Sequence, residues 1–137
     1  MAFTNPVMLQ VIYSSKAASQ IGPGDVFRII QQSARNNGKA GLTGFLIYQN
    51  GRFFQVLEGE KPPIDDVMRR VERDPRHSAI TIISRREIDE RAFPAWRMKR
   101  LCTQEVPGPL REIAPELEMA PPPIRSAATR FLAALQD

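Results

Sequence analysis

The sequence predicts an α+β fold of ferredoxin-like order, β-α-β-β-α-β-β, with two helices on one face of the sheet and a helical extension at the C-terminal end. Three observations carry this. Apolar residues alternate at Met8–Tyr13 and on both sides of Asn50-Gly51. Two helical stripes separate the strands, and Ser78–Ser84 is dense in β-branched residues. A chain of 137 residues holds one well-buried core, and 42% apolar with 25% charged residues is the balance of a globular protein.

The first strand places Leu9, Val11 and Tyr13 on one side and Met8, Gln10 and Ile12 on the other. Gly22-Pro23-Gly24 breaks the chain, and Gly24 or Asp25 caps a helix running to about Asn37. Its stripe is Val26, Ile30, Ser33 and Asn37, widened by Phe27, Ile29 and Ala34. The stripe begins apolar and ends polar, which sets Ser33 and Asn37 over the sheet, and Gly38 is expected to stop the helix. Gly44–Gln49 and Arg52–Leu57 then flank Asn50-Gly51, the signal of a two-residue turn that fixes register. Gln49 faces Arg52, Tyr48 faces Phe53, Ile47 faces Phe54 and Leu46 faces Gln55. One surface of this hairpin carries Leu46, Tyr48, Phe53, Gln55 and Leu57; the other carries Phe45, Ile47, Phe54, Val56 and Glu58. With both surfaces apolar, the hairpin is expected at the centre of the sheet, covered on each side. Gln55 is the misfit, an amide in an apolar surface.

Pro62-Pro63 opens a second helix that ends near Asp74-Pro75, with Ile64, Val67, Met68 and Val71 as its stripe. Pro94–Leu101 alternates, Trp96 and Met98 on one side and Arg97 and Lys99 on the other. After Thr103, repeated prolines exclude a long helix before Ile124. From there Ile124, Ala128, Phe131 and Leu135 form a stripe that would cover the Phe45–Val56 face, unless a second subunit does so. The chain thus divides into a domain over 1–101 and a proline-rich connection with an amphipathic helix over 102–137.

Several classes of function are excluded or weakened. No run reaches the ~18 apolar residues of a membrane span, and no leader is evident, so a cytoplasmic location is expected. A single cysteine, Cys102, rules out an internal disulfide and a cysteine zinc cluster; a single histidine, His77, rules out a multi-histidine metal site. There is no Gly-x-Ser-x-Gly elbow, phosphate loop or dinucleotide fingerprint. Cys102 with His77 would be a nucleophilic pair only if the fold joined them. Glu58 has no second carboxylate spaced to partner it. The net charge of +4 and the cluster Arg85, Arg86, Arg91, Arg97, Lys99 and Arg100 suit a solvated face better than a nucleic-acid surface.

What stands out is a convergence. Tyr13, Asn37 and Gln55, with Trp96 or Met98, meet between the two helices if all face that side. Aliphatic groups, amides and a phenol there suit a flat heterocycle with carbonyl and ring-nitrogen edges. The residues that carry this are Tyr13 closing strand one, Asn36-Asn37, Leu42-Thr43-Gly44, Phe54-Gln55-Val56-Leu57-Glu58-Gly59, Asp74-Pro75-Arg76-His77 and Phe93-Pro94-Ala95-Trp96-Arg97-Met98. In these the chain resembles the BLUF family, blue-light sensors using FAD, from about Met8 to Lys99.

The resemblance implies a noncovalent FAD and a photoreceptor rather than a turnover enzyme. Asn37 would bond the C4 carbonyl and N3 edge, with Gln55 between that edge and Tyr13. Asn36, Arg70, Asp74 and His77 would lie near the polar side and ribityl chain, and Ser33 is counted with them. Tyr13 would give an electron, then a proton, and the Gln55 amide would return reoriented or tautomerised. Trp96 and Met98 compete for the neighbouring position. The signal would pass to a separate protein, in this family often a transcriptional regulator or an enzyme of cyclic-nucleotide signalling, and a homo-oligomer is expected. Two other readings stay open: a light-independent flavin enzyme, and a ferredoxin-like module that binds nucleic acid through its arginines.

Overall fold

The computed structural model describes residues 7–18, 23–49, 51–102, 117 and 119–134. Five strands, β1 (Met8–Ala17), β2 (Thr43–Gln49), β3 (Arg52–Glu60), β4 (His77–Ile88) and β5 (Arg97–Cys102), form one sheet in the order β4-β1-β3-β2-β5. Among the described residues three helices accompany it: α1 (Pro23–Lys39), α2 (Lys61–Arg73) and α3 (Pro122–Ala134). The four strands β4-β1-β3-β2 are antiparallel neighbours in ferredoxin-like order, and β5 adds to the free edge of β2 in parallel. None of the described helices is long and apolar enough to cross a membrane.

The hairpin register is the one that the two-residue turn dictates: Leu46 opposes Gln55, Ile47 Phe54, Tyr48 Phe53 and Gln49 Arg52. The same strand β3 pairs with β1, setting Tyr13 opposite Gln55 and Ser15 opposite Phe53. Strict alternation then separates two layers. Leu9, Val11, Tyr13, Leu46, Phe53 and Leu57 face α1 and α2, where Ile29, Ile64, Val67 and Met68 meet them. Ile12, Phe45, Ile47, Phe54 and Val56 face the opposite way, into a layer closed by Leu117, Ile124, Ala128, Phe131 and Leu132. The C-terminal helix therefore covers the second face, and no second subunit is needed there. Leu135, and the α1 side chains of Val26, Phe27 and Ile30, lie outside the described residues.

Three elements differ from expectation. α1 runs past Gly38 to Lys39, and the left-handed residue is Gly41, at φ 73°. The amide of Leu42 there returns to the Asn37 carbonyl at 2.9 Å, closing the helix end. β4 is twelve residues long rather than seven, with register shifts against β1 between Ile12 and Tyr13 and between Ser14 and Lys16. β5 starts at Arg97, because a turn at Pro94-Ala95 bonds the Trp96 amide back to the Phe93 carbonyl and keeps Trp96 off the strand.

The second layer gives a direct stability prediction. Phe131 is 8% exposed and its ring centroid lies 5.3 Å from that of Phe54. Phe131→Ala should lower unfolding free energy by about 3–5 kcal/mol in a denaturant titration. A loss well under 1 kcal/mol would mean that α3 contributes little to the fold.

Candidate functional site

Tyr13 and Gln55 are neighbours because two strand registers make them so. Both are buried, at 2% and 3% exposure, and the Tyr13 hydroxyl donates a hydrogen bond to Oε1 of Gln55. Burial drives the Tyr13 pKa well above that of a free phenol, so the group stays protonated far past neutral pH. A phenol and an amide joined in an apolar layer form a polar pair whose geometry the surrounding packing enforces.

Beside this pair, between α1 and α2, lies a cleft of about 160 Å³. The last turns of α1 supply Ser33, Asn36 and Asn37; the end of α2 supplies Val67 and Arg70; the turn into β4 supplies Asp74, Arg76 and His77. Every residue assigned to the cofactor from the sequence, Tyr13 and Gln55 apart, lines this one cleft. His77 joins it to the pair. Its Nδ1 lies 3.1 Å from the Ser15 hydroxyl, and its ring centroid is 4.9 Å from that of Phe53. Ser15 and Phe53 oppose one another two residues beyond Tyr13 and two before Gln55.

Two groups in the cleft point to an absent ligand. Asn37 is 2% exposed, yet among the described residues its side-chain amide has no hydrogen-bond partner, a costly state for a buried amide. Arg70, in the last turn of α2, lines the cleft and makes no ion pair among the described residues. Asp74 is engaged instead: the Arg76 guanidinium bonds both its oxygens, at 2.7–3.0 Å, and holds its carboxyl below the usual range. Arg76 also reaches Gln32 Oε1 at 3.0 Å. Gln32, Ser15 and Phe53 escaped sequence reasoning, although the register that paired Tyr13 with Gln55 also pairs Ser15 with Phe53.

The other sequence candidates are resolved as follows. Trp96 does not join the pair. It stacks on Phe93 at 4.9 Å and meets Phe45 edge-on at 6.0 Å, in the layer facing α3. Met98 is on β5, and its side chain lies outside the described residues. Cys102 and His77 sit on the two outermost strands, four strand spacings or roughly 19 Å apart, so they form no nucleophilic pair. Glu58 is fully buried and spent on structure: it accepts from Gln10 Nε2 at 3.0 Å, the Ala92 amide at 2.8 Å and the Phe93 amide at 2.9 Å. Among the described residues no cluster could hold a metal ion.

His77 offers a pH test. Burial pushes its pKa down, partly countered by Asp74. Above about pH 6.5 the imidazole is neutral in both folded and unfolded chains; below it the unfolded chain takes up a proton that the folded one resists. Stability should therefore fall as the pH drops below about 6.5, and His77→Gln should flatten that dependence. Denaturant midpoints of both proteins across this range are the check, and parallel curves would remove His77 as the cause.

Fold and site together define an α+β module with a polar cleft beside a buried tyrosine–glutamine pair, a shape that fits a flat ligand with hydrogen-bonding edges. A family model described as sensors of blue-light using FAD (BLUF) matches residues 8–99. The chain belongs to the BLUF family, and its domain is a flavin-dependent sensor module rather than a catalytic one. It is 32% identical over 108 residues to a photoactivated adenylate cyclase subunit beta of Euglena longa, covering 77% of this chain and 13% of that one. Among solved structures it is similar to BlrB, a BLUF protein in its dark state, with a TM-score of 0.71, 30% identity, and 94% and 97% of the two chains covered. BlrP1 of Klebsiella pneumoniae, solved with FMN and cyclic diGMP, gives a TM-score of 0.71 at 27% identity, covering 93% of this chain and 34% of that one. The chain thus spans a small part of the curated relatives that it matches.

Proposed function

We propose that this chain is a blue-light photoreceptor that holds FAD noncovalently and switches through Tyr13 and Gln55. The observation that carries the reading is the buried hydrogen bond from the Tyr13 hydroxyl to Oε1 of Gln55, together with a cleft where the buried Asn37 amide has no partner among the described residues. Asn37 would hold the polar edge of the ring system, and Ser33, Asn36, Asp74 and His77 would line its side. Arg70, a cation with no ion pair among the described residues, suits the phosphate end. When bound, the flavin supplies a chromophore that absorbs blue light and, once excited, accepts an electron.

Tyr13 gives up that electron and then its phenolic proton. Because the phenol is desolvated, it does not lose the proton first. Gln55, with a donor and an acceptor end, would relay the proton and settle into the second of two arrangements as both electron and proton return to Tyr13. In that arrangement the Gln55 amide would donate a hydrogen bond to the bound flavin, and a donor there would favour the excited state and shift absorption to the red. We read residues 1–101 as the photosensory unit. The output is read as cyclic-nucleotide signalling, because two of the similar chains are an adenylate cyclase subunit and a protein solved with cyclic diGMP.

Illumination of the flavin-loaded protein tests this. The expected result is a small red shift that reverses in darkness; a yellow protein with a fixed spectrum would overturn it in favour of light-independent flavin chemistry. Asn37→Ala tests the cleft. Loss of one buried hydrogen-bond partner should cost about 1–3 kcal/mol of binding, or roughly a 5- to 150-fold weaker Kd, read by flavin fluorescence. Unchanged affinity would remove Asn37 from the site.

A further inference from the structure

A second cavity lies on the sheet face shared with α3, on the reverse of β1 from Tyr13, with a volume of about 680 Å³. Lys16 of β1 and Arg52 of β3 stand directly opposite one another at its edge. By strand alternation both side chains share the face of Ile12 and Phe54. Like charges directly opposed across two strands destabilise a sheet, and such a site ordinarily gains an acid. Here α3 brings a third cation, Arg130, and no acid among the described residues lines the cavity. Among the described residues none of the three makes an ion pair or a side-chain hydrogen bond.

The opposite wall is apolar. Ile83, 45% exposed, lines the cavity with Ala127 and Phe131, and Thr81 and Ser126 line it as well. The β4 backbone is bent to make this wall: both register shifts against β1 fall here, and Ala79 holds a left-handed φ of 49°, a strained state for a residue with a Cβ.

We propose that this cavity is a second ligand site, separate from the flavin cleft, for an anionic amphiphile: a carboxylate or phosphate head among Lys16, Arg52 and Arg130, and an apolar body against Ile83, Ala127 and Phe131. Its volume falls within the roughly 300–1,000 Å³ of small-molecule sites. A small molecule is favoured over an acidic peptide because the hydroxyls and cations gather around one concave volume of small-molecule size.

Calorimetric titration of the flavin-loaded protein with decanoate, decyl phosphate and neutral decanamide tests the proposal. Saturable one-to-one binding of at least one anion is expected, about tenfold or more tighter than the amide. A preference between the two anions identifies the head group. Lys16→Glu combined with Arg130→Glu should abolish the preference, and Ser126→Trp should block binding of all three. These positions are solvent-exposed, and unchanged thermal midpoints verify folding. Absence of saturable binding, equal affinity for anion and amide, or binding indifferent to both sets of substitutions would each overturn it. So would capture of an acidic amphipathic peptide in place of the decyl anions, which would make the cavity a protein-docking surface.

Discussion

Gln55→Leu should fold, keep its flavin and lose the light-induced red shift entirely. Leucine has nearly the volume of glutamine, so the layer formed with Leu46, Phe53 and Leu57 stays filled. Removing the amide leaves the Tyr13 hydroxyl without its acceptor, at a cost of about 1–3 kcal/mol that a more apolar pocket partly offsets. The shift must go because nothing with two hydrogen-bonding ends remains to change places. Tyr13→Phe should abolish it too, by removing the electron and proton donor while keeping the ring. The two variants look alike under steady illumination and differ in transient absorption, where only Gln55→Leu can still show a tyrosyl radical. Trp96 is on the other face of the sheet, so it should not stand in efficiently for Tyr13. A full red shift with normal recovery in Gln55→Leu would make the amide switch wrong for this protein.

Gly44→Ala should prevent folding. Gly44 lies at φ 140°, and a methyl group there would come within 1.9 Å of the Val56 carbonyl oxygen and 2.8 Å of its carbon. The obstacle is backbone in the neighbouring strand, locked by the β2–β3 ladder, so it cannot swing aside as a side chain would. The β2 backbone must give way on both sides at once, because the Gly44 amide also bonds the Trp96 carbonyl at 2.9 Å. Clash and backbone strain together should cost roughly 4 kcal/mol or more, a large part of a small domain's stability. Gly38→Ala is the control: nothing lies within 4 Å of the added methyl in the last turns of α1. That change should stabilise by a few tenths to about 1 kcal/mol. Soluble, flavin-binding Gly44→Ala with an unchanged denaturation midpoint would contradict the packing described.

Much of this was legible in the sequence for a simple reason. Asn50-Gly51 fixed the hairpin register, and alternation then sorted Gln55 and Tyr13 to one face and Phe54 and Val56 to the other. The polar end of the α1 stripe likewise placed Ser33 and Asn37 at the cleft. Other features depend on contacts that no local pattern announces. Trp96 was misplaced because alternation continued through Pro94–Leu101, whereas one backbone bond from Trp96 to Phe93 ends the alternation before the strand starts. The length and bulges of β4 follow from its pairing with β1 some 70 residues earlier. The role of Glu58 was hidden because its partners include backbone amides 34 and 35 residues away, and an amide leaves no trace in residue type.

That buried carboxylate also ties together residues that the chain keeps far apart. Gln10, Glu58 and Arg86 stand abreast on β1, β3 and β4: the Gln10 side-chain amide donates to Glu58, and its oxygen accepts from the Arg86 guanidinium at 3.1 Å. Each group suits only the neighbours that it has. Removing Gln10 takes a partner from both of the others, and removing either of them leaves one end of the Gln10 amide unpaired, so substitutions at the three positions should be non-additive. To a drifting lineage, these three letters behave as a single inherited character.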